Sequence, residues 1–529
     1  MISTSNAKEC TRCEPPKVSD DDRSLCVCPR NYYSDANGKC MRPCPLGIDC
    51  LSSGNDITSL NVIPGWWRYG QDSTKVYSCP LNDTCIGGRN VTTQCANGSY
   101  GVLCGLCKPN FQPTSTTCSP CPKQTWTVYL QFIGLLIVGI GFLMIVLKSS
   151  HAKGDGFIRP FIQLWQDLSI YMMFEVKFPQ YIIALNAWTQ IQVNFVQYVS
   201  PACAGFGFTF YHQYLLLLLL FVMLCMGISR KLWMKLQNDD DEREYEHERS
   251  KIIHDVFIIV LMFYPSICGL CFRFFRCRIV GSLAYLTADL SLQCYDSNWW
   301  VMFVLILLVI LLFVFGLPLG TFIYLRKHQN ELEMDTFVNT IGSVYLPYKA
   351  SCYFMEPLYM IVKLLMWATL VFFRSGSALQ FACSVLLSVF NLSIQLVLQP
   401  FKDNEVNKMQ IVNLSLGVVT AVVSLCFKYI SSLIEGDRIA EDDLEVYLSG
   451  RDILGILLLL FTIISYLFFI YKISERHLRG STKVRQIVEM ISQPSVKALS
   501  NEKTTKKDGD ERNIDAIVPA RNLTRDELA

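Results

Sequence analysis

The chain has 529 residues, 51% of them hydrophobic, with a mean hydropathy of +0.30 and a net charge of only +2. Overall charge therefore gives no support to nucleic-acid binding or to a basic anchor lying on a membrane surface. Distribution is more informative: fourteen of the 23 cysteines precede Lys123 in a polar segment, and the other nine are scattered through apolar sequence. Two kinds of domain are fused, with expected boundaries of 1–122 for a Cys-rich region, 123–473 for a multi-pass region and 474–529 for a polar tail.

The amino terminus, MISTSNAKEC, lacks the short apolar region of a secretory signal. The expectation is that the chain begins inside a longer gene product; the alternative is that the first membrane helix translocates what precedes it. Cysteines then fall at 10, 13, 26, 28, 40, 44, 50, 79, 85, 95, 104, 107, 118 and 121, in a segment too small for a generous core. Disulfides are the expected staple. Sequons at Asn82, Asn90 and Asn97 agree with a lumenal or extracellular location. The rival is zinc, because CGLC at 104–107 and CSPC at 118–121 pair thiolates at a usable spacing. The other cysteines lack such a pattern and the segment has no histidine, so no metal is assigned.

Nine apolar runs follow, at about 126–147, 157–178, 211–233, 252–272, 300–325, 353–373, 378–398, 411–434 and 452–471. The second carries Arg159, Gln163, Gln166, Asp167, Glu175 and Lys177, and is open to lying along an interface or behind other helices. Basic residues set orientation: with the Cys-rich end outside, Lys148, Arg230, Lys231, Arg326, Lys327, Lys402 and Arg476 fall inside. An odd number of spans then puts the polar, basic tail in the cytoplasm, where its composition predicts disorder. The same arrangement places Cys277 and Cys294 in one exterior loop, where a disulfide is expected; Cys203, also exterior, has no obvious mate.

The sixth run, YFMEPLYMIVKLLMWATLVFFR, contains Glu356 and Lys363. A charge at mid-bilayer is penalised by about 2.5 to 3.5 kcal/mol on the insertion scale. Glu356 lies near the cytoplasmic interface, and Lys363, roughly 10 Å deeper, can snorkel towards it. Alternatively, Lys363 meets an acid on another helix and the pair lines a gate. Asn391, Gln395 and Asn413 in the next two runs either hydrogen-bond between helices or face a pore. The loop EGDRIAEDDLEVYLSGRD is acidic and would concentrate cations at a mouth. NDDDEREYEHE lacks the glycine and spacing of a calcium loop, and no phosphate-binding loop, HExxH or nucleophile constellation occurs. No enzyme and no cofactor are expected.

CANGSYGVLCGLCKPNF, with Cys95, Gly101, Cys104 and Cys107, resembles an EGF-like or laminin-type EGF repeat. CVCPRNYYSDANGKCMRPCP is similar to the small repeats of ephrin-receptor and tumour-necrosis-factor-receptor ectodomains. These resemblances imply an exterior module that binds or spaces partners. Residues 126–472 resemble the TRP-like multi-pass proteins of fungi and protists. The resemblance is carried by YPSI, by the loop with Cys277, Tyr285, Leu286, Asp289 and Cys294, by GLPLG, by GSVYLPYKASCYFMEPLYMIVKLL and by QPFKDNEVNKMQ. It implies a cation-channel-like domain with its pore among the last helices.

The expected fold is an all-α polytopic membrane bundle of about nine spans. A small disulfide-rich, β-poor extracellular module precedes it and a disordered tail follows. The expected role is a plasma-membrane cation channel or channel-like sensor, with Glu356 and Lys363 as a gate-side pair and Asn391, Gln395 and Asn413 as pore or helix-contact groups. A non-conducting receptor or adhesion protein is the alternative, and a transporter the third. Disulfide candidates are Cys95, Cys104, Cys107, Cys118, Cys121, Cys277 and Cys294. Expected partners are the lipid bilayer, an extracellular protein or glycan and further copies of the chain, with no nucleic acid.

Overall fold

The computed structural model describes residues 12–492 apart from 21, 23–24, 42–43, 82, 115–116, 124–125, 151–158, 175, 177, 187–188, 190–202, 204–206, 237–241, 374–375 and 436–440. Cys10, Asn82, Glu175, Lys177 and the tail past 492 thus lie outside the described residues. The chain forms two compact units, Met1–Ser465 and Tyr466–Ala529.

The Cys-rich region is a chain of short antiparallel strand pairs. They are β1 (Val18–Ser19) with β2 (Cys26–Val27), β3 (Tyr33–Ser34) with β4 (Cys40–Met41), and β5 (Ile48–Asp49) with β6 (Asn61–Val62). Next come β7 (Trp66–Arg68) with β8 (Val76–Ser78), β9 (Ser99–Tyr100) with β10 (Leu106–Cys107), and β11 (Phe111–Pro113) with β12 (Cys118–Pro120). Strands this short bury too little to stand alone, and disulfides tie them: 13–26, 28–40, 44–50, 79–85, 95–104 and 107–118. Cys104, Cys107, Cys118 and Cys121 all lie in disulfides, which leaves no thiolate for zinc in CGLC or CSPC. Arg68 is buried and gathers the loops: Nε donates to Ser73 O at 2.6 Å, and Nη2 donates to Ile57 O and Gln71 O. Burial lowers its pKa, while Asp72 and Asp56 work in the opposite direction.

The helices are α1 (Trp126–Ser150), α2 (Arg159–Tyr171), α3 (Gln180–Asn186), α4 (Phe210–Leu236), α5 (Glu242–Phe274), α6 (Ser297–Lys327), α7 (Asp335–Tyr345), α8 (Met355–Phe372), α9 (Ala378–Leu398), α10 (Asn404–Glu435) and α11 (Glu441–Ser492). Among the described residues, α1, α4, α5, α6, α8, α9, α10 and α11 are long and apolar enough to cross a membrane. The helical region therefore has the make-up of a multi-pass membrane protein.

The difference from nine spans is the run at 157–178. Its helix, α2, has 13 residues and so reaches only about 20 Å, short of the roughly 30 Å hydrocarbon core. The backbone after Tyr171 goes through tight turns, with Phe174 N to Tyr171 O at 3.3 Å and Phe178 N to Val176 O at 2.9 Å, before α3. Pro179 disfavours helical geometry at Phe178, and the polar residues of α2 are buried rather than presented to lipid. A second irregularity lies in α6, where Ile310–Phe315 form a π-turn ahead of Gly316 and Pro318. Pro318 offers no N–H to the carbonyl of Val314, and the Tyr264 hydroxyl of α5 donates to that oxygen instead, at 2.9 Å.

Between α5 and α6 the chain forms a three-stranded antiparallel sheet: β13 (Cys277–Val280), β14 (Leu283–Leu286) and β15 (Asp289–Gln293), closed by the disulfide Cys277–Cys294. Asp289 Oδ2 accepts from Phe210 N at the start of α4 (2.9 Å), and Asp296 Oδ1 caps α6 through Trp299 N (2.7 Å). The Cys-rich region seats on this sheet. Val280 and Leu290 join Trp67, Leu103 and the sulfurs of Cys85 and Cys104 in one buried cluster. Gly281 turns β13 into β14 at φ +66° and donates its N–H to the Tyr77 hydroxyl at 3.0 Å; a Cβ there would press on the Tyr69 ring. A second tie is covalent. Cys203, without an obvious mate in sequence, is bonded to Cys121 across 82 residues.

In the second unit α11 continues as helix to Ser492, with Lys472 Nζ 3.0 Å from Glu475 Oε2.

Two outcomes are expected. Non-reducing peptide mapping should recover the Cys121 and Cys203 peptides cross-linked; a reduced Cys203 would refute the tie. Trp67→Ala should cost about 3 kcal/mol or more and raise limited proteolysis of the Cys-rich region on the order of 100-fold, with helical circular dichroism unchanged. An unaltered cleavage rate would rule out the seating.

Candidate functional site

The short helix α2 carries the polar interior of the bundle. Its buried residues include Gln163, Gln166, Ser169 and Tyr171, and it packs against α8 and α10. Two contacts fix its course. Arg159 Nη1 lies 2.5 Å from Glu356 Oε2, and Lys363 Nζ donates to Gln166 Oε1. Both partnerships join residues 197 apart in sequence, so α2 and α8 run parallel with their heptads aligned. One pair lies about 10 Å, two helical turns, along from the other.

The first level is a closed ion pair. The Tyr348 hydroxyl also donates to Glu356 Oε2, at 2.7 Å, and the Arg159 guanidinium lies 5.8 Å from the centre of the Tyr348 ring. Both charged side chains are nearly covered, at 13% and 12% exposure. Tyr348 itself is held because the loops LPYK and QPFK zip together, with Lys349 N to Pro400 O at 2.8 Å and Lys402 N to Pro347 O at 2.9 Å. Beneath them Asn407 ties the turn, accepting from Phe401 N (3.1 Å) and Gln395 Nε2 (3.2 Å) and donating to Phe401 O (2.9 Å). Gln395 Oε1 accepts from the Tyr359 hydroxyl at 2.7 Å, so Gln395 is fully engaged as a helix clamp.

The second level is looser. Lys363 is in electrostatic contact with Asp167, whose Oδ2 lies 3.5 Å from Asn413 Nδ2. Asn391 shares a small cavity of about 20 Å³ with Asp167, Tyr171, Lys363 and Ser388. Gly417 on α10 lets the Tyr171 ring come close, its hydroxyl 3.1 Å from where a Cβ would be, and Tyr171 then bonds Ser388 at 2.6 Å. A second cavity, about 60 Å³, lies between α2, α5 and α8 and is lined by Arg159, Gln163, Gln166, Glu356 and Lys363. The two volumes hold about one water and a few waters, respectively. Gln163 Oε1 and Asn413 Oδ1 are buried without a protein partner among the described residues, the condition that favours an internal water. Lys363 is the shared wall of both cavities.

Of the sequence candidates, Glu356, Lys363, Asn391 and Asn413 lie along this polar seam, and Gln395 sits in the clamp beside it. Asn90 and Asn97 are exposed; Asn90 Oδ1 accepts from Thr92 N and Oγ1. The partners not singled out from sequence as site residues are Arg159, Gln166, Asp167, Tyr348 and Asn407. A usable signal exists for the first two: Arg159 and Gln166 repeat the seven-residue spacing of Glu356 and Lys363. No grouping of His, Cys, Asp and Glu able to hold a metal occurs among the described residues.

Removing one member of a buried pair strands the other. Arg159→Met should lower stability by about 3 to 5 kcal/mol, and Arg159→Met with Glu356→Leu should recover most of it. Thermal melts of helical circular dichroism in detergent check this; equal losses in the single and double variants would show that the pair does not act as a unit. Compared with protein-family models, curated proteins and solved structures, the chain finds no match.

Proposed function

We propose that the protein is a gated cation channel, or a channel-like sensor, of the plasma membrane, with the Cys-rich region outside and the tail in the cytoplasm; α2 and α3 together then bring the chain back across between α1 and α4, an interrupted ninth crossing that the Cys121–Cys203 bond supports. The observation that carries this reading is the position of Lys363 between two small cavities beside α2, each with several polar side chains in a largely apolar lining. Ionisable groups are costly inside a bilayer and typically mark ion pathways when they face a bundle interior. On this reading the lysine, bonded to Gln166 and in electrostatic contact with Asp167, separates the two cavities and is the shut position of a gate. Moving that ammonium towards either cavity would join them. The acidic segment between α10 and α11 would concentrate cations at the exterior mouth.

A receptor that does not conduct is favoured by one different observation. The Cys-rich region is seated on the β13–β15 sheet, a coupling that needs no pore.

Purified full-length protein in planar bilayers separates the two readings. Unitary cation currents are expected, with Lys363→Ala raising open probability on the order of tenfold, the effect of about 1.4 kcal/mol on a two-state balance. Reproducible silence of intact protein would discard conduction and leave the receptor. Substrate-dependent flux without unitary events would indicate a transporter. Protease shaving of whole cells should remove the Cys-rich region, and glycosidase should shift its mobility; resistance to both would reverse the sidedness.

A further inference from the structure

The smaller cavity of the seam is rich in uncommitted oxygen atoms. The Ser388 hydroxyl donates to Ser384 O at 2.7 Å, so the proton in its 2.6 Å contact with Tyr171 comes from the phenol. The lone pairs of the Tyr171 oxygen are thereby left over, and Asp167 lies within electrostatic reach of it. Asn391 lines the same space, and its amide makes no hydrogen bond to protein among the described residues. Asp167 has one protein donor, Asn413 Nδ2, at a long 3.5 Å. Among the described residues Lys363 is the one cation at this cavity, and it gives its hydrogen bond to Gln166 rather than to Asp167.

While Lys363 stays, a water is enough to satisfy these oxygens. The balance changes once the ammonium moves. Gln163 Oε1, at the neighbouring cavity of about 60 Å³, is buried without a protein partner among the described residues, and Glu356 already attracts Lys363 from that side. Helical side chains lean towards their own amino terminus, which on α8 is the Glu356 end. A lysine drawn that way leaves the Asp167 carboxylate beside phenolic and amide oxygens, and a charge in a bundle interior requires a counter-charge. Size and charge select it. The space of about 20 Å³ holds one water-sized species. Calcium takes about six to eight oxygens and magnesium keeps several waters, whereas a lining with a single carboxylate suits one unit of positive charge.

We infer that Asp167, Asn391 and Tyr171 form a site for one dehydrated monovalent cation of sodium size, which exchanges with the Lys363 ammonium: the ion enters beside Asp167 as the lysine leaves for Gln163 and Glu356. The inference deepens the gate reading of Lys363 and rests on its premise that the ammonium moves. One positive group replaces another, so the charge beside Asp167 is the same in both positions of the gate.

Thermal melts of the full-length protein in detergent, in sodium, potassium or N-methyl-D-glucamine chloride at constant total salt and pH, test binding without reference to current. Sodium should raise Tm where the bulky organic cation does not, and potassium, the larger ion, should need on the order of tenfold more. Lys363→Met removes the tethered competitor and should lower the half-maximal sodium concentration on the order of tenfold. Asp167→Asn in that background should abolish the response. Should that double variant fail to fold, Asn391→Leu with Lys363→Met keeps the carboxylate and should raise the half-maximal concentration about tenfold, whereas Ser393→Ala, exposed on the same helix, should change nothing. Equal effects of the three salts, a Lys363→Met protein stabilised by falling pH but not by sodium, or a sodium response unaltered by Asp167→Asn or Asn391→Leu would each overturn the site. Sodium-dependent stabilisation without unitary currents keeps the site and discards conduction; unitary currents from a protein whose Lys363→Met form ignores sodium do the reverse.

Discussion

Hydrocarbon cannot solvate an ion, and the interior of this bundle is arranged around that fact. Arg159 and Lys363 would each be prohibitive alone; Glu356 with Tyr348, and Gln166 with Asp167, make them tolerable. Satisfying both at once requires α2 and α8 to lie parallel and in one register, since a slip by a single residue would break both contacts together. That requirement in turn explains why α2 is buried and why it needs no uninterrupted length: it is surrounded by α5, α8 and α10 rather than by lipid. Irregular backbone at 172–174, 176 and 178–179 is acceptable in such a place because protein, not hydrocarbon, surrounds it.

The two levels of the seam differ in kind. Around Glu356 every strong group is engaged, and the LPYK and QPFK loops fasten the acceptor's surroundings from behind. Around Lys363 the contacts are fewer, the cavities adjoin and two amide oxygens lack protein partners among the described residues.

How much of this was legible in the sequence follows from the range of each interaction. Long apolar helices announce themselves by length and composition, and eight of them are found where such runs occur. The interruption of α6 at Gly316 and Pro318 was visible as well, although the Tyr264 hydroxyl that repairs it was not, since it lies 50 residues away. The polar residues of the run at 157–178 left open whether it lies behind other helices, as α2 does; the partners that hold it there stand nearly two hundred positions later, and local pattern does not encode such pairs. Cysteine bonding to Cys203 was hidden for a related reason: spacing does not determine connectivity. The strands of the Cys-rich region, two or three residues each, are too short to leave a periodic trace.

The sheet between α5 and α6 is joined to both helices with almost no intervening chain: β13 starts three residues after α5 ends, and α6 starts four residues after β15. Little slack exists there to absorb motion. A tug or twist on the Cys-rich region is therefore handed as torque to two helices at once, and α5 is a wall of the cavity that Arg159 and Lys363 share. Backbone alone thus connects the disulfide-stapled end to a helix that walls the charged interior.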